Sequence, residues 1–428
     1  DIVDGDQPSV GLLHVQARKF LRVPAKIVFD KIGGEVAYVV PANAIRDQTN
    51  LVEMAAFGDP LLAEVVHLVR DKAALLGQAR SLAPYDALVD EFTPGISTGD
   101  IDTIFKALTR KLPGLINDAI EQQAAKPLLP LTGKFSVSRQ KQLATEVLKA
   151  MGFPFDRGRL DESEHPFTEG VAGDIRITTR FDPADPFSGL LGAVHETGHA
   201  LYDLGLPSQW RDQPVGRDRG LALEESQSLL FEMSLCRSRP FVRYLLPLLE
   251  KYFQVSGPEW QEENVYRNLA RVRRSLIRMD ADELTYPVHI MLRYELEKKI
   301  LDGALSVNEL PEAWNSLLEQ RLGIRPSNDV EGCLQDIHWA VGHFGYFPSY
   351  ALGAVIAGQL NEALRAAHPE LDDQLAQGKF ETVLAWLRDN VHNVGARLRV
   401  QELMKEATGR PLTAAPYLRY LETKYLET

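Results

Sequence analysis

The sequence predicts a mainly α-helical fold with a minor β-structure. The first observation is that apolar residues recur at helical spacing in seven segments of the chain. The second is that proline and glycine interrupt the chain between these segments, as at Pro94 and Gly95. The third is that strands do not alternate regularly with helices, which argues against a parallel-sheet architecture. The predicted helices cover residues 61–82, 101–112, 140–151, 221–239, 271–301, 351–367 and 380–391.

Residues 174–181 have a different pattern. Ile175 and Ile177 alternate with Arg176 and a threonine, and the segment is rich in β-branched side chains. We expect a short strand there, at one edge of a small sheet. The chain shows no internal repeat and no low-complexity linker. We therefore expect a single domain over residues 1–428, divided into two lobes by a cleft.

Composition and charge limit the classes of protein that fit. With 45% apolar and 25% charged residues, the chain has the composition of a soluble globular protein. The net charge of −12 argues against nucleic acid as a main partner, because phosphate binding needs a basic surface. No segment approaches the roughly 18 apolar residues of a membrane span, and the acidic first residues do not resemble a signal peptide. We expect a cytoplasmic protein whose two cysteines, Cys236 and Cys333, are apolar core residues.

Two histidines four residues apart form the clearest chemical motif. On a helix, His195 and His199 lie on one face, close enough to share a metal ion. Asp185 and Pro186 are typical of a helix start, and Gly205 is typical of a helix end. The motif is therefore expected within a helix.

The residue types of this motif suit zinc-dependent hydrolysis. Zinc accepts two neutral imidazoles and a carboxylate, with a fourth position left for water. Glu196 follows the first histidine and can take a proton from that water, while zinc polarises the carbonyl under attack. The glutamate then passes the proton to the leaving amine. The alternative is that both histidines are ordinary core or surface residues.

A third ligand is expected on the next apolar helix, residues 221–232. Glu225 lies 26 residues beyond His199, which leaves room for a loop and a returning helix. Glu224 is the alternative third ligand, and Glu232, two turns further on, could contact a metal ligand without binding the metal itself. A carboxylate buried on such a helix is costly unless it is paired or bound to metal. Each glutamate taken alone could equally lie on a solvated face.

Two later segments place polar residues among apolar ones. Residues 277–287 read as a helix with Arg278 and Asp282 one turn apart, either as an ordinary ion pair or with Arg278 as a clamp for a carboxylate. Residues 334–350 are rich in histidine, tyrosine and glycine, so they could bring hydrogen-bond donors to a developing oxyanion. The alternative for this second segment is a packed aromatic turn.

Five segments, in their order along the chain, resemble motifs of the thermostable carboxypeptidase family of zinc metallopeptidases, family M32. The resemblance extends from about Val15 to the C-terminus. The segments that carry it are residues 174–180, 195–202, 225–229, 277–286 and 334–350.

The resemblance implies a large helical, two-lobed metallopeptidase fold, with a deep active-site groove and a small sheet next to the zinc helix. It also implies an enzyme that removes single amino acids from peptide C-termini with broad specificity, acts poorly on proline, and forms a homodimer. Cobalt is expected to substitute for zinc. Endopeptidase or dipeptidase action of the same metal class is the alternative. A non-catalytic metal-binding helical protein fits less well, because a structural zinc site is usually closed by four ligands.

Carried over by motif, the resemblance also assigns roles to individual residues. His195, His199 and Glu225 are the expected ligands, and Glu196 is the expected general base. The expected substrate-binding residues are Arg278, His338, Tyr346 and Tyr350, with the strand around Arg176 lying along the peptide.

Besides a proline that stands one position early in residues 323–329, two departures from the family pattern bear on the site. Glu224 stands where the family usually has histidine before the ligand glutamate. Family members also usually begin with an additional helical stretch that partly covers the groove, and we expect that stretch to be missing or diverged here. The first departure suggests a more basic site or a changed substrate preference, and the second suggests changed access to the groove.

Overall fold

Helices make up most of the part of the chain that the structure describes. The structure is a computed structural model, and it describes residues 30–32, 35–37, 60–171 and 173–426. Val15, where the family resemblance begins, lies outside these residues. The helices are α1 (Pro60–Arg80), α2 (Pro84–Phe92), α3 (Thr98–Ala125), α4 (Val137–Ala150), α5 (Ser188–Gly205), α6 (Leu221–Leu229), α7 (Arg239–Phe253), α8 (Glu262–Leu269), α9 (Tyr286–Leu301), α10 (Leu310–Leu322), α11 (Pro348–Ala367), α12 (Leu371–Leu375), α13 (Glu381–Asn390), α14 (Val400–Thr408) and α15 (Ala415–Leu426).

The predicted strand exists, but it lies at the centre of its sheet rather than at an edge. The strands are β1 (Asp30–Ile32), β2 (Glu35–Ala37), β3 (Gly158–Glu162), β4 (Phe167–Val171) and β5 (Asp174–Thr179). Strands β1 and β2 form an antiparallel pair. In the other sheet, β5 pairs in parallel with β3 on one side and antiparallel with β4 on the other. The prediction of an edge strand is wrong because β3 and β4 occupy both edges of β5.

Most predicted helices are confirmed, and the errors have local causes. Segment 221–239 divides into α6, a π-helical turn over Leu230–Leu235, and the start of α7 at Arg239.

The predicted helix over residues 271–301 is wrong in its first half, where the structure has loops and a single 3-10 turn, Arg278–Asp280. Asp282 accepts hydrogen bonds from the backbone N–H groups of Leu284 and Thr285, which ends the loop. Pro287 then fixes the start of α9, because proline is tolerated in the first helical turn and not deeper.

The centre of the molecule is formed by α5, α6 and α11, which pack on one another through α6. Two glycines permit their close approach. A Cβ atom on Gly198 of α5 would lie 2.5 Å from the Cα atom of Ser228, and one on Gly353 of α11 would lie 2.8 Å from the Cγ atom of Glu225. No real Cβ contact is that short, so glycine at these positions brings α5 and α11 directly against α6.

The small sheet packs against α5 through β4 and β5. The prediction of a mainly helical fold with a small sheet beside the motif helix is therefore confirmed. None of the helices in the described part of the chain combines the length and the apolar character of a membrane span.

Candidate active site

The two motif histidines lie one turn apart on α5, with ring centroids 5.1 Å apart. The helix begins at Ser188, slightly later than predicted. Asp185 lies just before the helix, and its Oδ1 atom accepts hydrogen bonds from the backbone N–H groups of Phe187 and Ser188, at 2.8 and 3.3 Å. Its end at Gly205 agrees with the prediction.

Glu225 of α6 faces both histidines. Its Oε2 atom lies 3.9 Å from Nε2 of His195 and 3.6 Å from Nε2 of His199. One candidate ligand atom from each of the three residues lies within 4.8 Å of the others. Ligand atoms about 2.1 Å from a tetrahedral zinc ion are roughly 3.4 Å from one another. The three side chains therefore fit a divalent metal with little adjustment, and they leave a fourth position open.

Two further glutamates lie on the outer side of the imidazoles. Oε2 of Glu232 is 2.9 Å from Nδ1 of His195, and Oε1 of Glu224 is 3.4 Å from Nδ1 of His199. Glu224 therefore faces the ring nitrogen of His199 that points away from Glu225, and it is not among the three donor groups that could hold a metal ion. The hydrogen bond between Glu232 and His195 orients that imidazole and fixes which nitrogen carries the proton.

This group of side chains is strongly acidic. Burial alone would lower the pKa of His195, but the hydrogen bond with Glu232 and the nearby carboxylate of Glu225 raise it to about 10. Burial raises the pKa of Glu232, but Arg237 and His195 lower it to about 2. Arg237 donates a hydrogen bond to Oε1 of Glu232 at 2.6 Å. We call the group the metal end of the site: His195, Glu196, His199, Glu224, Glu225 and Glu232.

Glu196 lies beside the first histidine, and only 7% of it is exposed. Its Oε2 atom accepts a hydrogen bond of 2.7 Å from the hydroxyl of Thr168, on β4. The carboxylate is thus held at the junction between the motif helix and the small sheet.

Arg278 is held by a partner other than the predicted one. Asp282 caps the loop before α9, so the predicted helical pair of Arg278 and Asp282 is wrong. Instead, Arg278 donates from Nε and Nη2 to Oδ1 of Asp336, at 3.0 and 2.8 Å. Its guanidinium lies 4.8 Å from the ring centroid of Tyr350.

Asp336 also binds a second guanidinium. Arg293 of α9 donates from Nε and Nη2 to the other oxygen, Oδ2, at 2.7 and 2.5 Å. Burial raises the pKa of Asp336, but the two guanidiniums hold that pKa well below its usual range. Burial lowers the pKa of Arg293 to about 10. We call these three residues the arginine end of the site: Arg278, Arg293 and Asp336.

The aromatic segment lies directly against the arginine end. Nε2 of His338 is 3.3 Å from the hydroxyl of Tyr350, and the rings of Tyr346 and Tyr350 are 5.3 Å apart. Burial lowers the pKa of His338 to about 3, so its imidazole is neutral at physiological pH.

Tyr286 joins the two ends of the site. Its hydroxyl donates to Oε1 of Glu225 at 3.4 Å, and its ring centroid is 6.3 Å from that of Tyr350. Contacts therefore run from Glu225 through Tyr286 and Tyr350 to Arg278.

Arg176 occupies a different setting. Its side chain is exposed and donates twice to the neighbouring Asp174, at 2.9 and 2.8 Å. Its strand, β5, has both edges paired, so the β5 backbone is not free to pair with a peptide. Strand β4 is the edge of this sheet that packs on α5.

Sequence reasoning gave no role to Arg293, Asp336 or Tyr286. One signal for Arg293 was present, because α9 carries apolar residues on all its faces and a charged side chain in such a helix has to be paired. No sequence signal identified Asp336 as that partner, since it lies 43 residues from Arg293.

The chain is similar to known metallopeptidases along most of its length. The family model described as "Carboxypeptidase Taq (M32) metallopeptidase" matches residues 49–425. The chain is 37% identical to Carboxypeptidase 1 of Bacillus subtilis (strain 168), over 80% of this chain and 68% of that protein. It is 37% identical to Thermostable carboxypeptidase 1 of Thermus thermophilus, over 86% of this chain and 73% of that protein.

Solved structures give the same result. The structure of Trypanosoma cruzi metallocarboxypeptidase 1 superimposes with a TM-score of 0.83 at 38% identity, over 90% of this chain and 80% of that one. The M32 carboxypeptidase of Deinococcus radiodurans R1 superimposes with a TM-score of 0.81 at 35% identity, over 91% of this chain and 80% of that one.

Proposed function

The chain belongs to the carboxypeptidase Taq (M32) family of metallopeptidases and is a metallocarboxypeptidase, and we propose that it is zinc-dependent and removes single amino acids from peptide C-termini with broad specificity. One observation carries the finer proposal. A donor set for a divalent cation and a buried guanidinium lie at two ends of one site, with Tyr286 and Tyr350 between them. Such a site can hold a peptide by its terminal carboxylate with the last peptide bond near the metal.

His195, His199 and Glu225 are the proposed metal ligands. Two imidazoles and one carboxylate are a donor set that zinc prefers, and cobalt accepts the same donors. A divalent metal bound there supplies a Lewis acid that activates water and polarises the scissile carbonyl. Glu232 orients the imidazole of His195 through its contact with Nδ1 at 2.9 Å, and Glu224 places a carboxylate 3.4 Å from Nδ1 of His199.

Glu196 is the proposed general base and acid. Its carboxylate lies beside the first ligand but is not among the three donor groups, so it stays available for proton transfer. It takes the proton of the attacking water and delivers it to the leaving amine of the last residue. Breaking the peptide bond then releases one amino acid and a peptide shortened by one residue.

Arg278 is the proposed anchor for the substrate's terminal carboxylate. Guanidinium geometry suits a carboxylate, and Asp336 and Tyr350 fix the orientation of this one. Tyr346, Tyr350 and the neutral His338 are the proposed donors around the substrate carbonyl. Arg176, on the exposed face of the sheet, is a proposed contact for residues further along the peptide. Proline is expected to be a poor terminal residue, as the family resemblance implies.

We further propose a cytoplasmic homodimer whose substrates are peptides and whose partners include neither membranes nor nucleic acid. The net charge of −12 supports the absence of a nucleic-acid partner. Light scattering on a gel-filtered sample measures the oligomeric state directly.

The test of the proposed function uses one peptide with a free C-terminus and its amidated twin. Each is incubated with the protein, with and without a chelator, and the products are followed by mass spectrometry. We expect a ladder that loses one residue at a time, from the free peptide only, and that the chelator abolishes and added zinc restores. Internal cuts in both twins would instead establish an endopeptidase.

A further inference from the structure

The hydroxyl of Thr168 is placed to control the carboxylate of Glu196. Thr168 Oγ1 lies 2.7 Å from Oε2 of Glu196 and 2.9 Å from the backbone oxygen of the same residue. A hydroxyl has one hydrogen to donate, so it serves one acceptor at a time. The backbone oxygen lies inside α5, where the N–H group one turn on already satisfies it. The Glu196 carboxylate is therefore the acceptor that is stabilised more by the Thr168 hydrogen bond.

We propose that Thr168 is a positioning residue for Glu196, which fixes the rotation of the carboxylate and leaves Oε1 to exchange the proton. This inference rests on the proposed role of Glu196 as general base. In the described part of the chain, Thr168 is the side chain that hydrogen bonds to this carboxylate. A carboxylate held at one oxygen presents the other in a fixed direction, and proton transfer depends on such alignment.

Strand β4 holds Thr168 firmly against α5. Thr168 pairs with Ile177 in the antiparallel ladder between β4 and β5. The start of β4 is fixed by Thr178, whose hydroxyl accepts from the backbone N–H of Phe167 at 3.1 Å. A Cβ atom on Gly192 of α5 would lie 2.7 Å from Oγ1 of Thr179, so the helix is packed tightly onto the sheet.

The residue type also suits the role. Threonine is branched at Cβ, so its side chain has few rotamers and its hydroxyl keeps one direction on a strand. The neighbouring Phe167 and Val171 are exposed, whereas Thr168 is turned toward the motif helix. The hydroxyl thus couples the edge of the small sheet to the general base.

The test compares substitutions that keep the shape or keep the hydroxyl. Thr168→Val removes the hydroxyl at nearly constant volume, and kcat is expected to fall about tenfold to a hundredfold, because a hydrogen bond to a charged group is lost. KM and bound metal are expected to stay near the parent values. Thr168→Ser restores the hydroxyl and is expected to recover kcat to within about threefold.

Two controls separate positioning from packing. Thr179→Val removes a different hydroxyl between the same sheet and helix, one that donates to the backbone oxygen of Gly189 at 2.9 Å, and should lower the melting temperature while kcat is kept. In a Glu196→Gln background, Thr168→Val should cause no further loss, because its effect passes through Glu196. An equal further loss in that background would overturn the proposal.

A structural readout keeps this test independent of the proposed function. In a crystal structure of Thr168→Val, the Glu196 carboxylate should leave its parent rotamer or become disordered. An unchanged, ordered carboxylate would contradict the proposal whether or not the enzyme cleaves peptides. If the parent enzyme produced no chelator-sensitive ladder, that result would instead contradict the proposed function alone.

Discussion

The metal end and the arginine end are both largely buried and both built around ion pairs, but their excess charges are opposite. At the metal end, the carboxylates of Glu196, Glu224, Glu225 and Glu232 meet one neighbouring guanidinium, that of Arg237. Carboxylates therefore outnumber the permanent positive charges at the metal end, and negative charge is in excess there. At the arginine end, two guanidiniums share the single carboxylate of Asp336, which leaves one positive charge in excess.

The difference shows what each end lacks. Burying an unpaired charge costs several kcal/mol, so a folded protein does not keep such an excess without a compensating partner. A divalent cation would compensate the metal end, and a single carboxylate would compensate the arginine end. A peptide C-terminus carries such a carboxylate, so the charge imbalance supports the proposed substrate as well as the proposed metal.

The largest expected effect concerns the metal end. Glu196→Gln should lower kcat by about a hundredfold to ten-thousandfold, the usual contribution of a general base, while bound metal stays at the parent level. His199→Ala should lose the metal itself, because one of three donors is removed. Activity and metal content by mass spectrometry separate the two cases. A Glu196→Gln enzyme with near-parental kcat would show that the carboxylate is not the base.

The next effect concerns the stability of the arginine end. Asp336→Asn removes the carboxylate that pairs with two buried guanidiniums, those of Arg278 and Arg293, and breaking a buried pair typically costs about 3–5 kcal/mol. We expect a clear fall in the midpoint of urea unfolding. Asp174→Asn is the matched control, because it removes an exposed aspartate from an arginine pair and should leave the midpoint close to the parent. Equal midpoints in the two variants would show that Asp336 is not an essential counter-ion.

The sequence predicted the metal end better than the arginine end, and the reason is distance along the chain. His195 and His199 are brought together by one helical turn, which local spacing determines. Most helices were predictable for the same reason, since their apolar periodicity is local. The third donor, Glu225, was singled out by the family resemblance, because local spacing left Glu224 open as a rival.

The arginine end could not be predicted because its contacts are not local. Arg278 meets Asp336 across 58 residues, and helical spacing suggested Asp282 instead. Asp282 does not pair with Arg278, because its carboxylate instead accepts hydrogen bonds from backbone N–H groups at the start of α9. Capping and helical ion pairing compete for the same side chain, and spacing alone does not decide between them.

A smaller effect identifies which arginine binds the substrate carboxylate. Arg278→Lys should reduce kcat/KM for peptides with a free C-terminus by about tenfold to a hundredfold, because lysine cannot keep the bidentate geometry. Arg176→Lys is the comparison, and we expect a small change because that side chain is exposed and already paired with Asp174. A larger loss in Arg176→Lys would move the carboxylate anchor to the sheet.

The smallest expected effect concerns Glu297, a buried carboxylate beside the arginine end. It accepts hydrogen bonds from Tyr85, from Trp339 and from the backbone N–H of Gly345, at 2.6, 2.8 and 3.0 Å. Burial raises its pKa from 4.5 to about 7, and the three hydrogen bonds and Arg293 only partly oppose that rise. The charge state of Glu297 therefore decides whether the positive excess beside it survives at neutral pH.

The sign of the pH dependence follows from the raised pKa of Glu297. The folded protein binds this proton more tightly than the unfolded chain, so the stability it contributes is full below about pH 4.5 and is lost as the pH rises through 7. The melting temperature of the parent, minus that of Glu297→Gln, should therefore fall between pH 5 and about pH 7.5. Glu309→Gln is the control. Hydrogen bonds from Ser306 lower the pKa of Glu309, so the melting temperature of the parent minus that of Glu309→Gln should stay constant in that range. A flat difference for Glu297→Gln would mean that Glu297 is ionised throughout, and the positive excess at the arginine end would then be cancelled before any substrate binds.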